Sequence, residues 1–170
     1  MVHAPSLPGR SLFALIIGID RYTSVKYCAT KGCVADANDI EVFLTRDLHI
    51  SDDRIVNLRD GRATYANIVE ELSKLAKNDR IAVNDSFLIY FSGQSIKRKR
   101  GVVLLPHNAA LDSQGEDKRF ISDGEFNGLL KQLAKAKGNN IVRPCITFLV
   151  SPARHTMSTS IFDTSYAGGF

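Results

Sequence analysis

The chain has 170 residues, 44% of them apolar and 24% charged, which suffices for the core of one domain and leaves little room for a second. Its net charge of +4 equals the charge of Lys97-Arg98-Lys99-Arg100, so the remainder balances and nothing marks the whole surface for nucleic acid. No apolar run approaches the roughly 18 residues that would span a bilayer, and the opening Met1 to Arg10 lacks the charged and apolar regions of a signal peptide.

Leu12 to Gly18 is a continuous apolar run, as expected of a central strand covered on both faces of a parallel sheet. Val34, Ala37, Ile40, Leu44 and Leu48 then recur at helical spacing and predict an amphipathic helix of about 14 residues lying flat on that sheet. Residues 54–58 read as a short strand closed by Asp60-Gly61. Thr64 is placed to cap a helix whose inner face is Ile68, Leu72 and Leu75.

Ser86 to Ser92 is the next strand, and it delivers Ser92-Gly93-Gln94-Ser95. The basic run Lys97 to Arg100 reads as a solvated loop between two strands, followed by a brief strand at 102–105 that stops at Pro106. Ser122-Asp123-Gly124-Glu125 has capping-box spacing and opens a helix with Phe126, Leu129, Leu130 and Leu133 inside. Lys137-Gly138-Asn139-Asn140 ends it.

Cys145 to Val150 is the last clear strand. Ser151 to Phe170 carries few charges and no periodicity, so it reads as loop or tail and leaves the strand at 145–150 with an open edge that invites pairing. Strands alternating with helices predict an α/β sandwich with a mostly parallel central sheet flanked by helices. The expected organisation is a flexible N-terminus at 1–10, a domain at 11–150, and a loop and C-terminal tail at 151–170.

Three cysteines, Cys28, Cys33 and Cys145, lack paired zinc spacing, so free thiols are expected. Cys33 reads as a small apolar filler at a helix start. His107 or His155 could serve Ser95 or Ser151 as a base only in a geometry that spacing cannot supply. Gly18-Ile19-Asp20-Arg21 has no glycine-rich phosphate cradle, which argues against a nucleotide site.

From residue 11 to 150 the motifs resemble the large-subunit half of metacaspases and other caspase-like cysteine peptidases. Phe13 to Tyr22 is similar to the family's first strand, and Gly32-Cys33-Val34-Ala35-Asp36-Ala37 to its Gly-Cys-x-x-Asp-Ala segment. Tyr90-Phe91-Ser92-Gly93-Gln94-Ser95 resembles Tyr-Phe-Ser-Gly-His-Gly, in which the His is half of the catalytic dyad. The resemblance implies a caspase-like α/β sandwich and, because the chain stops soon after the fourth strand, one lacking the family's small-subunit half.

It also implies what is missing. The family cysteine attacks a carbonyl as a thiolate and the His protonates the leaving amine, whereas Gln94 stands at the His position and an amide cannot titrate near neutral pH. Ser151-Pro152-Ala153-Arg154-His155-Thr156 stands where the family has Asp-(Ser/Cys)-Cys-His-Ser-Gly, so Ala153 falls at the nucleophile, or Arg154 if the segment is shifted to match His155, and no cysteine follows Cys145. Asp36 matches one of the two aspartates that line the family's pocket for Arg or Lys, and Ser151 replaces the other; capping of a helix N-terminus is the alternative reading of Asp36.

Calcium-dependent relatives carry clustered acids after the catalytic His, where this chain has Lys97 to Arg100, so no metal and no cofactor is expected. The expectation is an inactive caspase-like domain, a pseudoenzyme with a regulatory or interaction role. Its partner would be a protein or peptide, including a homologous caspase-like chain or a second copy, with no membrane and no nucleic acid. A cytoplasmic location is expected, and the basic run leaves nuclear import open. Two alternatives stand beside it: an active metacaspase-type endopeptidase or other hydrolase with relocated groups, and a nonfunctional truncated family member.

Overall fold

The computed structural model describes residues 12–98, 101–111, 117–142, 145–149 and 159–162. Strand β1 (Leu12–Gly18) is the centre of the sheet, because six of its seven residues are buried and it is paired in parallel on both sides. One neighbour is β2 (Ile55–Arg59) and the other is the 13-residue β3 (Ser86–Arg98). Alternate residues of β1 feed opposite cores. Ala14 and Ile16 meet Ala37, Leu44 and Tyr90 on one face, while Leu15 and Ile17 meet Ile68, Leu72, Phe87, Leu130 and Leu133 on the other.

Helix α1 (Cys33–Val42) covers the first face. It crosses the end of β1 at Gly18, where a Cβ would lie 2.7 Å from the Ala37 Cβ and 2.8 Å from the Cys33 carbonyl oxygen. Only glycine permits that approach. The helix expected to run on to Leu48 instead widens at Phe43–Asp47 into a π turn, with the Leu48 N–H bonded to the Phe43 carbonyl at 3.1 Å. One extra residue in the turn rotates the chain beyond it, so Leu48 is 48% exposed and Ile50 takes the inward place beside Leu44.

Helices α2 (Tyr65–Lys77) and α3 (Asp123–Lys137) cover the second face. Thr64 Oγ1 accepts the Asn67 N–H and Ser122 Oγ accepts the Glu125 N–H, which are the caps that the sequence advertises. Ile68, Leu72, Leu75, Leu130 and Leu133 are buried between these helices and the sheet.

Strand β3 does not stop at Ser92, because β4 (Gly101–Leu104) pairs antiparallel with Ser95–Arg98. Lys97 and Arg98 are therefore strand residues rather than loop. The short β5 (Ala110–Leu111) and β6 (Asp117–Lys118) form a separate ribbon, and β7 (Ile121–Ser122) extends the main sheet beside β4. Along the other side of β3 run β8 (Ile141–Val142) and β9 (Cys145–Leu149), both parallel to it.

The edge expected to be open at 145–150 is covered. Strand β10 (Thr159–Phe162) pairs antiparallel with β9, with Thr159 opposite Phe148 and Phe162 opposite Cys145. Thr159-Ser160-Ile161-Phe162 is uncharged and rich in β-branched and aromatic side chains, a composition that suits a pleated edge even without periodicity. The strand order β10-β9-β3-β1-β2, parallel except at the β10 edge and the β4-β7 extension, is the mixed sheet of an α/β sandwich.

Candidate functional site

The site sits at the C-terminal end of β1 and where β3 runs past it, the position where parallel sheets deliver ligand-facing residues. Strand β3 leaves β1 after Ser92 and acquires β4 at Ser95. Gly93 and Gln94 lie in the gap between those two partners. A Cβ at Gly93 would stand 3.1 Å from the Phe91 ring and 3.3 Å from the Tyr22 hydroxyl, so the tyrosine packs directly against the bare backbone.

Gln94 is 4% exposed and its polar groups are engaged. Its N–H donates to the Tyr22 hydroxyl at 2.7 Å, its carbonyl accepts the Leu105 N–H at 3.0 Å, and its side-chain Nε2 donates to the Cys28 carbonyl. Burial pushes the Tyr22 hydroxyl well above the ordinary tyrosine range, so it stays neutral. Where the resemblance places a proton carrier, the chain has an amide committed to holding a loop.

Ser92, on the same face of β3, points to α1. Its hydroxyl donates to Asp36 Oδ2 at 3.4 Å. Asp36, an alternative candidate for capping α1, does not do so, because Asp20 performs that task from the end of β1. The Asp20 Oδ1 accepts the Cys33 N–H at 2.9 Å, while Gly32 at the cap position has φ 104° and offers no side chain. Asp36 is thereby free to present its carboxylate beside Ser92 in a half-buried setting.

Cys33 is buried, with its Sγ 3.5 Å from the Thr30 hydroxyl. Burial raises the thiol above its ordinary value, and hydrogen bonds from Thr30 and Ser92 only partly oppose this. A neutral buried thiol is a poor nucleophile, which fits the reading of Cys33 as filler.

Asp60 fastens the start of the loop after β1. Its Oδ1 accepts the N–H groups of Asp20 at 2.8 Å and Arg21 at 2.9 Å, and its Oδ2 pairs with the Arg21 guanidinium at 3.3 Å. Burial alone would raise this carboxyl, but the two N–H bonds and Arg21 outweigh it and hold it below the usual aspartate range. His107 Nδ1 lies 2.7 Å from the Arg21 carbonyl, so the ring serves the loop and not Ser95. Among the described residues, the buried Ser95 Oγ has no hydrogen-bond partner.

Gln94, Asp36, Ser92 and Cys33 are thus gathered at one end of the sheet, and Ala153, Ser151, Arg154 and His155 lie outside the described residues. Asp20, Tyr22, Thr30, Ser92 and Asp60 were not singled out from sequence. Asp20 had a signal, since it is the first charged residue after the apolar run of β1. Among the described residues no group of three or more His, Cys, Asp or Glu could hold a metal, and Lys97 and Arg98, where calcium-dependent relatives carry acids, do not suit a cation.

The sheet order, the two helical layers and a site at the end of β1, where β3 runs past it, define a caspase-like α/β domain. Residues 13–170 match the family described as metacaspase, peptidase C14 domain, and the chain belongs to that family. Among solved structures it is similar to protein GSU0716 from Geobacter sulfurreducens, with a TM-score of 0.55 at 17% identity over 82% of this chain. The match covers 50% of that protein, so this chain spans half its length. At that identity the likeness shows the fold alone. No curated protein matches the chain.

Proposed function

We propose that this is a non-catalytic metacaspase-family domain, which holds a basic side chain of a peptide or protein partner beside Asp36 without cleaving the chain. The observation that carries the reading is Gln94, buried at the family's His position with its amide bonded to the Cys28 carbonyl. A group that neither titrates nor reaches the surface supplies no general acid. Asp36, held by Ser92 of the same strand, keeps the charge that would attract Arg or Lys.

Binding would act by occupancy, with a homologous caspase-like chain or its substrate segment as the fitting partner. Among the described residues no helix is long and apolar enough to cross a membrane, and the reading invokes no lipid. Incubation with Arg- and Asp-terminated fluorogenic peptides, with and without calcium, tests the reading. No release of fluorophore is expected; turnover that Gln94→Ala abolishes would overturn it.

A further inference from the structure

We infer that Gln94 is a latch that holds residues 24–29 as a closed strap over the strand end. The segment leaves β1 through an anchored stretch. The Ile19 N–H bonds to the Ser92 carbonyl at 2.9 Å, Asp60 takes the N–H groups of Asp20 and Arg21, and the Thr23 N–H bonds to the His107 carbonyl at 2.9 Å. It returns through a second anchor, in which the Thr30 N–H bonds to the Asp20 carbonyl at 2.8 Å and its hydroxyl donates to the Ile19 carbonyl at 2.9 Å.

Between the anchors the chain is held differently. Ser24 and Tyr27 close a local turn at 3.1 Å whose tip, Val25, is fully exposed. The strap is attached to the rest of the molecule by the Gln94 amide on the Cys28 carbonyl and by Tyr27, which packs against the cluster of Val103, Leu105, Ala109 and Phe120. The Tyr27 ring stacks edge-on between Tyr22, at 6.2 Å, and Phe120, at 6.1 Å. Gln94 therefore grips the strap by its side chain at Cys28, while its backbone N–H holds Tyr22 in the anchored stretch before it.

The chemistry of the grip requires a donor. The Cys28 carbonyl only accepts, so an amide N–H completes the bond, whereas an isosteric carboxylate would place two acceptors together in a buried setting. Closure sets the Cys28 carbonyl against the amide of Gln94, which is 4% exposed. Opening breaks the amide bond and the packing of Tyr27, a local event that leaves both anchors and the sheet intact.

Hydrogen exchange of the whole domain, compared among wild type, Gln94→Ala and Gln94→Glu, tests the latch. Exchange at residues 24–29, and tryptic cleavage after the exposed Lys26, should rise about tenfold in both variants, as loss of one buried bond implies. Exchange in β1 should not change. Unchanged exchange at 24–29 in both variants would overturn the latch, as would a rise spread equally through β1, which would make Gln94 a core strut instead.

A further consequence rests on the proposed function: the two variants should bind an Arg-containing peptide more tightly than wild type. If the strap opens and neither variant nor wild type binds the peptide, peptide binding at Asp36 fails while the latch stands. If Asp36→Asn abolishes binding while exchange at 24–29 is identical in all three proteins, the latch fails while the peptide site stands.

Discussion

The Ser92 hydroxyl and the Asp36 carboxylate meet at 3.4 Å, joining the middle of β3, where it parts from β1, to the first turn of α1. The bond spends one acceptor position of the carboxylate on a neutral donor and leaves the charge uncancelled, and among the described residues no cation pairs with Asp36. Removing that charge should therefore affect binding rather than folding. Asp36→Asn is expected to lower affinity for an Arg- or Lys-containing peptide by about tenfold or more, since hydrogen bonds to charged groups contribute about 1.5–3 kcal/mol. Isothermal titration beside thermal melting checks this, and a lowered melting point with unchanged affinity would assign Asp36 a structural role only.

Cysteine reactivity should separate by position. Cys28 is exposed and Cys33 is buried with its thiol raised by burial, so less thiolate forms at Cys33 at any pH near neutrality. With iodoacetamide, Cys28 should alkylate in the native protein and Cys33 only after unfolding. Mass spectrometry resolved by site reads the result directly; fast labelling of native Cys33 would mean an activated thiol in the cleft.

The contact at Gly18 fixes where α1 and its Asp36 can stand. Gly18→Ala would drive a methyl group to within 2.7 Å of the Ala37 Cβ and 2.8 Å of a backbone oxygen, neither of which can swing away. Overpacking of this kind costs about 1–3 kcal/mol. Urea denaturation should show that loss, with the variant displacing α1; an unchanged midpoint would show that α1 slides along the sheet freely.

Much of this arrangement was legible because local chemistry dictates it. Thr64 and Ser122 cap their helices as their spacing announces, and the periodic leucines of α2 and α3 face the sheet. The π turn at Phe43–Asp47 was not legible, since Leu48 continues the helical period in sequence and only tertiary packing chooses Ile50 over it. Strand β10 was missed because a four-residue edge has too few positions to show alternation. At the site, Gln94 and Asp36 stood out by motif, but their partners Cys28, Tyr22 and Ser92 come from other segments. Asp20 caps a helix 13 residues away, a distance no capping pattern covers.

Asp60 gives the strongest prediction about pH. Its carboxyl is held below the ordinary aspartate value of about 4 because the folded state supplies two N–H donors and Arg21, against the opposing effect of burial. A group whose folded pKa lies below its unfolded value binds fewer protons when folded. Its contribution is fully present above the unfolded pKa and is lost as pH falls through the folded one. Asp60→Asn keeps an oxygen for the N–H groups of Asp20 and Arg21 but loses the charge, so wild type should exceed the variant in stability near neutral pH and approach it in acid. Subtracting the two unfolding free energies across an acid titration removes the contribution of the other carboxylates. A difference that stays flat through the aspartate range would show that the loop after β1 is held by geometry alone, and that the charge of Asp60 does not stabilise it.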